Sequence, residues 1–243
     1  MIRRHWFEGL ADHLGSAYLR YSFTKGTEAE VDFLVGALGL GPGSRLLDVG
    51  CGPGRHAHAF GRRSVEVVGV DISERFVELA RRGAPPGVTF VRADARALTY
   101  EGGFDAVISL CQGAFGLAGG PAAGGSPDPD GEILAGMARA LRPGGRLALT
   151  AFSAYFQLLH LEPGNSFDAE TGVHHEVAVV KDEEGSDAHH DLWTTCFTPR
   201  ELRLLLAVAG LVTDGIWAVE PGDYARRPPD LAHPEFLALA TRP

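Results

Sequence analysis

Positive charge is scarce in this 243-residue chain: 22 Lys and Arg stand against 31 Asp and Glu, and Lys25 and Lys181 are its two lysines. A formal net charge of −9 argues against a protein that tracks nucleic-acid phosphates and against adhesion to an anionic membrane surface. The preference for arginine goes with abundant Ala, Gly and Pro, as a GC-rich coding sequence produces, and is not taken as anion recognition. Cysteine is equally sparse. Cys51, Cys111 and Cys196 are odd in number and widely spaced, which fits neither a disulfide framework nor a zinc motif and suits a reducing cytosol. No stretch approaches the 18 or more apolar residues of a membrane span, and Met1 to Leu19 is interrupted by Arg3, His5, Glu8, Asp12 and His13. The expectation is a cytoplasmic chain with no signal peptide and no membrane partner.

Glycine and proline are plentiful, 32 and 15 residues, beside 45% hydrophobic residues. That is a globular composition with many turns, long enough for one domain with its own core. Val31, Leu34, Val35 and Leu38 fall at helical spacing, and Thr27 with Glu30 predicts a capping box at the start of that helix. Five β-like runs follow, at 45–50, 66–71, 89–94, 106–111 and 146–152. Helical stretches lie between them, one opening at Ser73 and another running from Glu132 to Leu141 before Arg142-Pro143-Gly144-Gly145. Nearly continuous hydrophobic strands separated by helices predict a parallel sheet covered on both faces. After Phe152 the pattern predicts an antiparallel hairpin from 176–180 and 192–197, turning at Glu184-Gly185 and pairing His190 with Val179 and His175 with Thr194. A Thr198-Glu201 capping box then opens a helix, and strands near 211–219 and 235–241 close the chain. Residues 116–131, rich in Gly, Ala and Pro, are expected to form a mobile loop.

The first strand runs into Leu46-Leu47-Asp48-Val49-Gly50-Cys51-Gly52-Pro53-Gly54 with a helix next. In an open parallel sheet the ligand crevice lies beyond the carboxyl ends of the strands, where glycines let backbone approach a ligand. A nicotinamide-dinucleotide loop would need a small residue at Arg55, so an NAD-dependent oxidoreductase is disfavoured. The D-x-G-x-G-x-G loop resembles the first motif of the class I S-adenosylmethionine (SAM)-dependent methyltransferases. Val68-Gly69-Val70-Asp71-Ile72-Ser73, Phe90-Val91-Arg92-Ala93-Asp94-Ala95, Phe104 to Ser109 and Leu141 to Gly145 resemble its next four in order.

The resemblance implies a Rossmann-like, doubly wound mixed sheet of about seven strands, with the hairpin inserted after strand five. It divides one domain, 1–243, into an N-terminal helical segment (1–43), a SAM-binding core (44–152), an inserted hairpin and acceptor region (153–197) and a C-terminal helix with two strands (198–243). It implies SAM as cofactor, held by Asp48, Gly50, Gly52 and Gly54, by Asp71 at the ribose, by Ile72, Asp94 and Ala95 at the adenine, and by Leu110 near the methionine. The implied activity is methyl transfer to an O, N or C nucleophile of a small molecule; the alternative is a non-catalytic SAM-binding or partner-binding module. Gln112, Tyr21, His174 and His175 are the catalytic or acceptor-contact candidates. His174-His175 and His189-His190 lie too far apart along the hairpin for a shared metal, so none is expected. Asp105 stands at the wrong end of its strand for the crevice, and His56 and His58 are given no role beyond facing solvent. The hairpin is left open as lid or as contact in a homodimer.

Overall fold

The computed structural model describes residues 5–243, so the first four residues of the N-terminal segment lie outside the described residues. In chain order α1 (Trp6–Leu14) and α2 (Thr27–Leu38) precede β1 (Arg45–Val49), α3 (Arg55–Arg62), β2 (Glu66–Asp71), α4 (Glu74–Arg81), β3 (Val88–Arg92), β4 (Phe104–Ser109), α5 (Pro129–Ala140) and β5 (Leu141–Ser153). Then come α6 (Ala154–Leu159), β6 (Ser166–Asp168), β7 (Val173–Lys181), β8 (Asp187–Phe197), α7 (Pro199–Val208), β9 (Val212–Val219) and β10 (Glu235–Thr241). The strands β3, β2, β1, β4 and β5 pair in parallel in that order. β10 inserts antiparallel between β5 and β9, completing the seven-stranded wound sheet expected from the sequence. Three further strands form the extension: β6 pairs with β7, β7 with β8, and the end of β8 joins the end of β5 at Phe152–Ser153.

Alternation along each strand sends successive side chains to opposite faces, and both faces are buried. Leu46, Ile108, Leu237 and Leu239 pack under α2 and α3 with Val31, Leu34 and Phe60. Leu47, Val107, Phe236 and Ala238 pack under α5 and α7 with Leu134, Met137, Leu202 and Leu206. The central strands β1, β2, β4 and β10 therefore bury nearly every side chain, which is why their runs read as continuous, while β3 at the sheet edge alternates.

Local chemistry changes four expectations. Gly26 rather than Thr27 caps α2; the Thr27 hydroxyl donates to the Thr24 carbonyl (2.7 Å) and receives Arg55, while Glu30 turns inward to Arg55 and His56. The hairpin register is one residue from the expected one: His190 faces Ala178 and His175 faces Trp193. Asp182 N–H donates to the Ser186 carbonyl and Ser186 N–H to Asp182 Oδ1, closing a five-residue turn that pairs Lys181 with Asp187. The 116–131 segment is packed, with Ala118 and Ala122 buried beside Phe115. Gly119 and Gly120 lie so close to Val173, Thr195 and Trp193 that a Cβ would overlap them. Its large packing side chains come from the hairpin, so its own composition does not reveal its order. Asp128 caps α5 through Gly131 N–H (2.8 Å), starting that helix earlier than its apolar pattern suggests.

Candidate active site

The crevice begins where β1 ends. Gly50 and Cys51 N–H both donate to the Val70 carbonyl (2.8 and 3.0 Å), fastening the loop to β2. Gly50 has φ +76°, and a Cβ there would overlap the backbone of Gly113 after β4, so only glycine lets the two loops meet. At the end of β2 the Asp71 carboxylate accepts Gly52 N–H on Oδ2 and Ser73 N–H on Oδ1, both at 2.8 Å. These bonds fix its orientation while leaving lone pairs free. Burial outweighs them and pushes Asp71 up to about 6.

Two compartments meet over this carboxylate. The smaller is lined by Phe7, Asp71, Ile72, Asp94, Ala95 and Ala118, with His5 at its rim. Asp94 is gripped by Arg96 through Nε and Nη2, each at 2.8 Å; burial alone would raise its pKa, but this pairing holds it below the ordinary carboxylate value. The larger, about 420 Å³, is walled by Trp6, Phe7, Tyr18, Tyr21, Phe23, Phe76 and Phe152 and carries Gln112, Asp71, Glu176 and Glu235. Among the described residues no lysine or arginine lines it. Its roof is α1 and the turns after it, tied to the hairpin tip by Ser16 N–H donating to Glu183 (2.6 Å) and by Lys181 N–H donating to the Tyr21 hydroxyl (3.0 Å).

Of the residues singled out from sequence, Gly50, Gly52 and Asp71 line the compartments, Ile72, Asp94 and Ala95 the smaller one, and Gln112 and Tyr21 the larger. Asp48, Gly54 and Leu110 lie behind the lining. Gly54 starts α3 against Phe90, and the Leu110 carbonyl accepts Gly113 N–H. Asp48 is buried with Oδ2 unpartnered, and burial pushes it up to about 7. His174 and His175 line neither compartment. The first is buried opposite Thr194; the second stacks on Trp193 at 4.9 Å and bonds Asp191 at 2.7 Å. Asp105 accepts Arg45 N–H and the Arg142 guanidinium at the far edge of the sheet. Among the described residues no group of three His, Cys, Asp or Glu side chains is arranged to hold a metal ion.

Two features escaped the sequence reading. Glu30 is fully buried beneath the site, accepting Arg55 (2.8 Å), His56 (2.6 Å) and Gly222 N–H (2.8 Å). Burial opposes its ionisation, yet these partners hold it down to about 2, while burial and Arg55 push the neighbouring His56 down to about 4, so the imidazole donates as a neutral ring. His56 is thus a buried strut rather than a solvent-facing side chain, and His58 bonds the Ala80 carbonyl. The second feature is Glu235, the first residue of β10, buried beside Phe152 with Oε2 unpartnered. A lone acid heading the apolar run Phe236 to Ala240 is its sequence signal, meaningful once that strand is known to run antiparallel. Cys111 and Gln112 both hold left-handed backbone (φ 50° and 48°), a strain that concentrates where a loop is shaped for a ligand.

A family model described as a methyltransferase domain matches residues 46–145. A demethylmenaquinone methyltransferase of Renibacterium salmoninarum is 32% identical over 121 residues, 49% of this chain and 46% of that protein, so the chain matches about half the length of this relative. A cypemycin N-terminal methyltransferase of a Streptomyces species is 28% identical over 218 residues, 82% of this chain and 84% of that protein. In fold, the chain is similar to the solved CcbJ methyltransferase of Streptomyces caelestis, with a TM-score of 0.72, 22% identity and 88% of each chain covered.

Proposed function

We propose that the chain is a class I SAM-dependent methyltransferase and that it transfers the methyl group of SAM to an O, N or C nucleophile of a small molecule held in the larger compartment. When bound, SAM supplies a sulfonium methyl whose C–S pair leaves on sulfur as the acceptor's lone pair forms the new bond. The observation that carries the reading is Asp71, fixed by Gly52 and Ser73 N–H between the two compartments with lone pairs free for a vicinal diol. Ile72, Ala95 and Asp94 offer an apolar slot with one polar edge for a purine, and Gly50 and Gly52 allow the cofactor's chain to lie against backbone. The unpartnered Asp48 oxygen suits a ligand that brings positive charge over the loop, as the amino acid end of SAM does.

The protein's part is alignment and exclusion of water. Aromatic walls and the α1 roof remove solvent around the acceptor, and a rigid strand-end loop holds the donor, so that most of the rate advantage comes from orientation. Cytoplasmic location and a small-molecule acceptor go with this reading. Calorimetry with S-adenosylhomocysteine tests it: the chain binds the ligand, and Asp71→Ala, losing two charge-assisted hydrogen bonds of about 1.5 to 3 kcal/mol each, weakens binding by a hundredfold or more. Absence of binding by either SAM or S-adenosylhomocysteine sinks the proposal.

A further inference from the structure

Glu235 occupies the position that the acceptor must reach. β10 runs antiparallel to β5, so its first residue lies on the same sheet edge as the carboxyl ends of the parallel strands, paired with Phe152. The side chain is buried, lines the larger compartment and leaves Oε2 without a hydrogen-bond partner. Its neighbour Gln112 likewise has an unpartnered amide nitrogen, on a backbone held at φ 48°. A buried carboxylate with a free oxygen is costly unless a donor or a cation meets it. The charged side chains lining the compartment are Asp71, Glu176 and Glu235, all acidic, and its walls are aromatic rings that favour cations over anions.

Resting on the methyltransferase reading, we propose that the acceptor is an amine, that Glu235 anchors its ammonium form, and that Glu235 then takes its proton. In that step one N–H bond breaks, an O–H bond forms at Glu235 Oε2, and the nitrogen keeps the pair it needs as a nucleophile. The carboxylate and ammonium charges cancel, and the carboxylic acid returns its proton to water when the compartment opens. Among the described residues that line the compartment, a carboxylate acceptor meets three acids and no cation, and an alcohol gains no ion pair.

Titration agrees with the geometry. Burial pushes Glu235 up to about 7 and Glu30 adds to the rise, while Gln112, Arg55 and Thr150 oppose it; Cys111 and Tyr224 are the other titratable groups facing it. A group that titrates near neutrality can both hold and release a proton at working pH.

The test uses the full chain saturated with S-adenosylhomocysteine and calorimetric titration at pH 8 with phenethylamine, 2-phenylethanol and phenylacetate. The amine binds roughly tenfold or more tightly than the alcohol, and the acid least. In wild type the amine's affinity falls about tenfold per pH unit below 7, and Glu235→Gln abolishes both the preference and the pH slope while S-adenosylhomocysteine binds as before. Equal or tighter binding of the alcohol or acid, no binding of the amine, or a preference that survives in Glu235→Gln overturns the assignment. If that variant does not fold, wild-type selectivity and its pH slope decide. Failure of S-adenosylhomocysteine to bind counts against the methyltransferase reading instead, and the amine series is then run on the unliganded chain.

Discussion

Asp48→Asn exposes the tension between stability and ligand binding in the strand-end loop. Asp48 is buried, its Oδ2 has no partner, and burial raises its pKa from 3.8 to about 7, with Asp71 adding to the rise and Arg55 opposing it. That difference corresponds to about 4 kcal/mol against the ionised form in the folded chain. Below pH 4 the group is protonated in both states. Between pH 4 and 7 the folded chain keeps a proton that the unfolded chain has released, so this group makes stability fall as pH rises, by about 1.4 kcal/mol per unit. Above pH 7 the cost is complete. Asparagine has no such proton, so the variant's advantage over wild type grows by about 3 kcal/mol between pH 5 and pH 8, roughly 10 °C in Tm for a chain of this length. Asp130 and Glu235, also raised by burial, are present in both proteins and drop out of the difference, whereas Asp71 is relieved of the Asp48 charge in the variant and adds to the gap above pH 7. Urea unfolding of both proteins at the two pH values measures it, and S-adenosylhomocysteine affinity of the variant falls in the same samples. A stability gap that does not change with pH would refute the reasoning.

Glu30→Ala leaves the Arg55 guanidinium buried without its carboxylate and Gly222 N–H without its acceptor, and costs about 3 to 5 kcal/mol in urea unfolding at pH 7. Because Glu30 is held down to about 2, its contribution is present above pH 4.5 and lost as pH falls toward 2, so the gap between variant and wild type narrows in acid. Gly50→Ala drives a Cβ into the Gly113 backbone at a left-handed φ; it lowers Tm and abolishes S-adenosylhomocysteine binding, both read by thermal shift with and without ligand. With Asp71 as the proposed acceptor of the ribose hydroxyls, binding in its ionised form and sitting at about 6 in the free chain, S-adenosylhomocysteine binds about tenfold more weakly at pH 5 than at pH 8, a dependence that calorimetry finds reduced in Asp71→Asn.

What was legible in the sequence follows from what is local in the chain. Gly50, Gly52 and Asp71 are recognisable because each stands at a fixed offset from a hydrophobic run, and in a parallel sheet that offset alone puts them at the crevice, with Asp48 just behind it. Glu235 is hidden because its value depends on β10 slotting in antiparallel beside β5, a pairing across more than eighty residues of chain. The order of 116–131 depends on Val173, Thr195 and Trp193 from the hairpin, and the hairpin's own register depends on the Asp182 side chain closing its turn. His174 and His175 looked available because sequence shows a type of side chain and not its neighbours; Thr194, Trp193 and Asp191 already occupy theirs.

The roof couples two events in time. His5 and Phe7 touch the smaller compartment, while Trp6, Phe7, Leu10 and Leu14 of the same helix touch the larger. A nine-residue helix moves as one body, so a displacement that frees the spent donor also uncovers the acceptor pocket. For the proposed methyl transfer, both products would then leave by the same displacement of α1 from the hairpin tip at Glu183. Glu183 also pairs with Arg75 of α4 (2.8 Å), so one half-buried carboxylate holds the hairpin tip, the turn after α1 and α4 together.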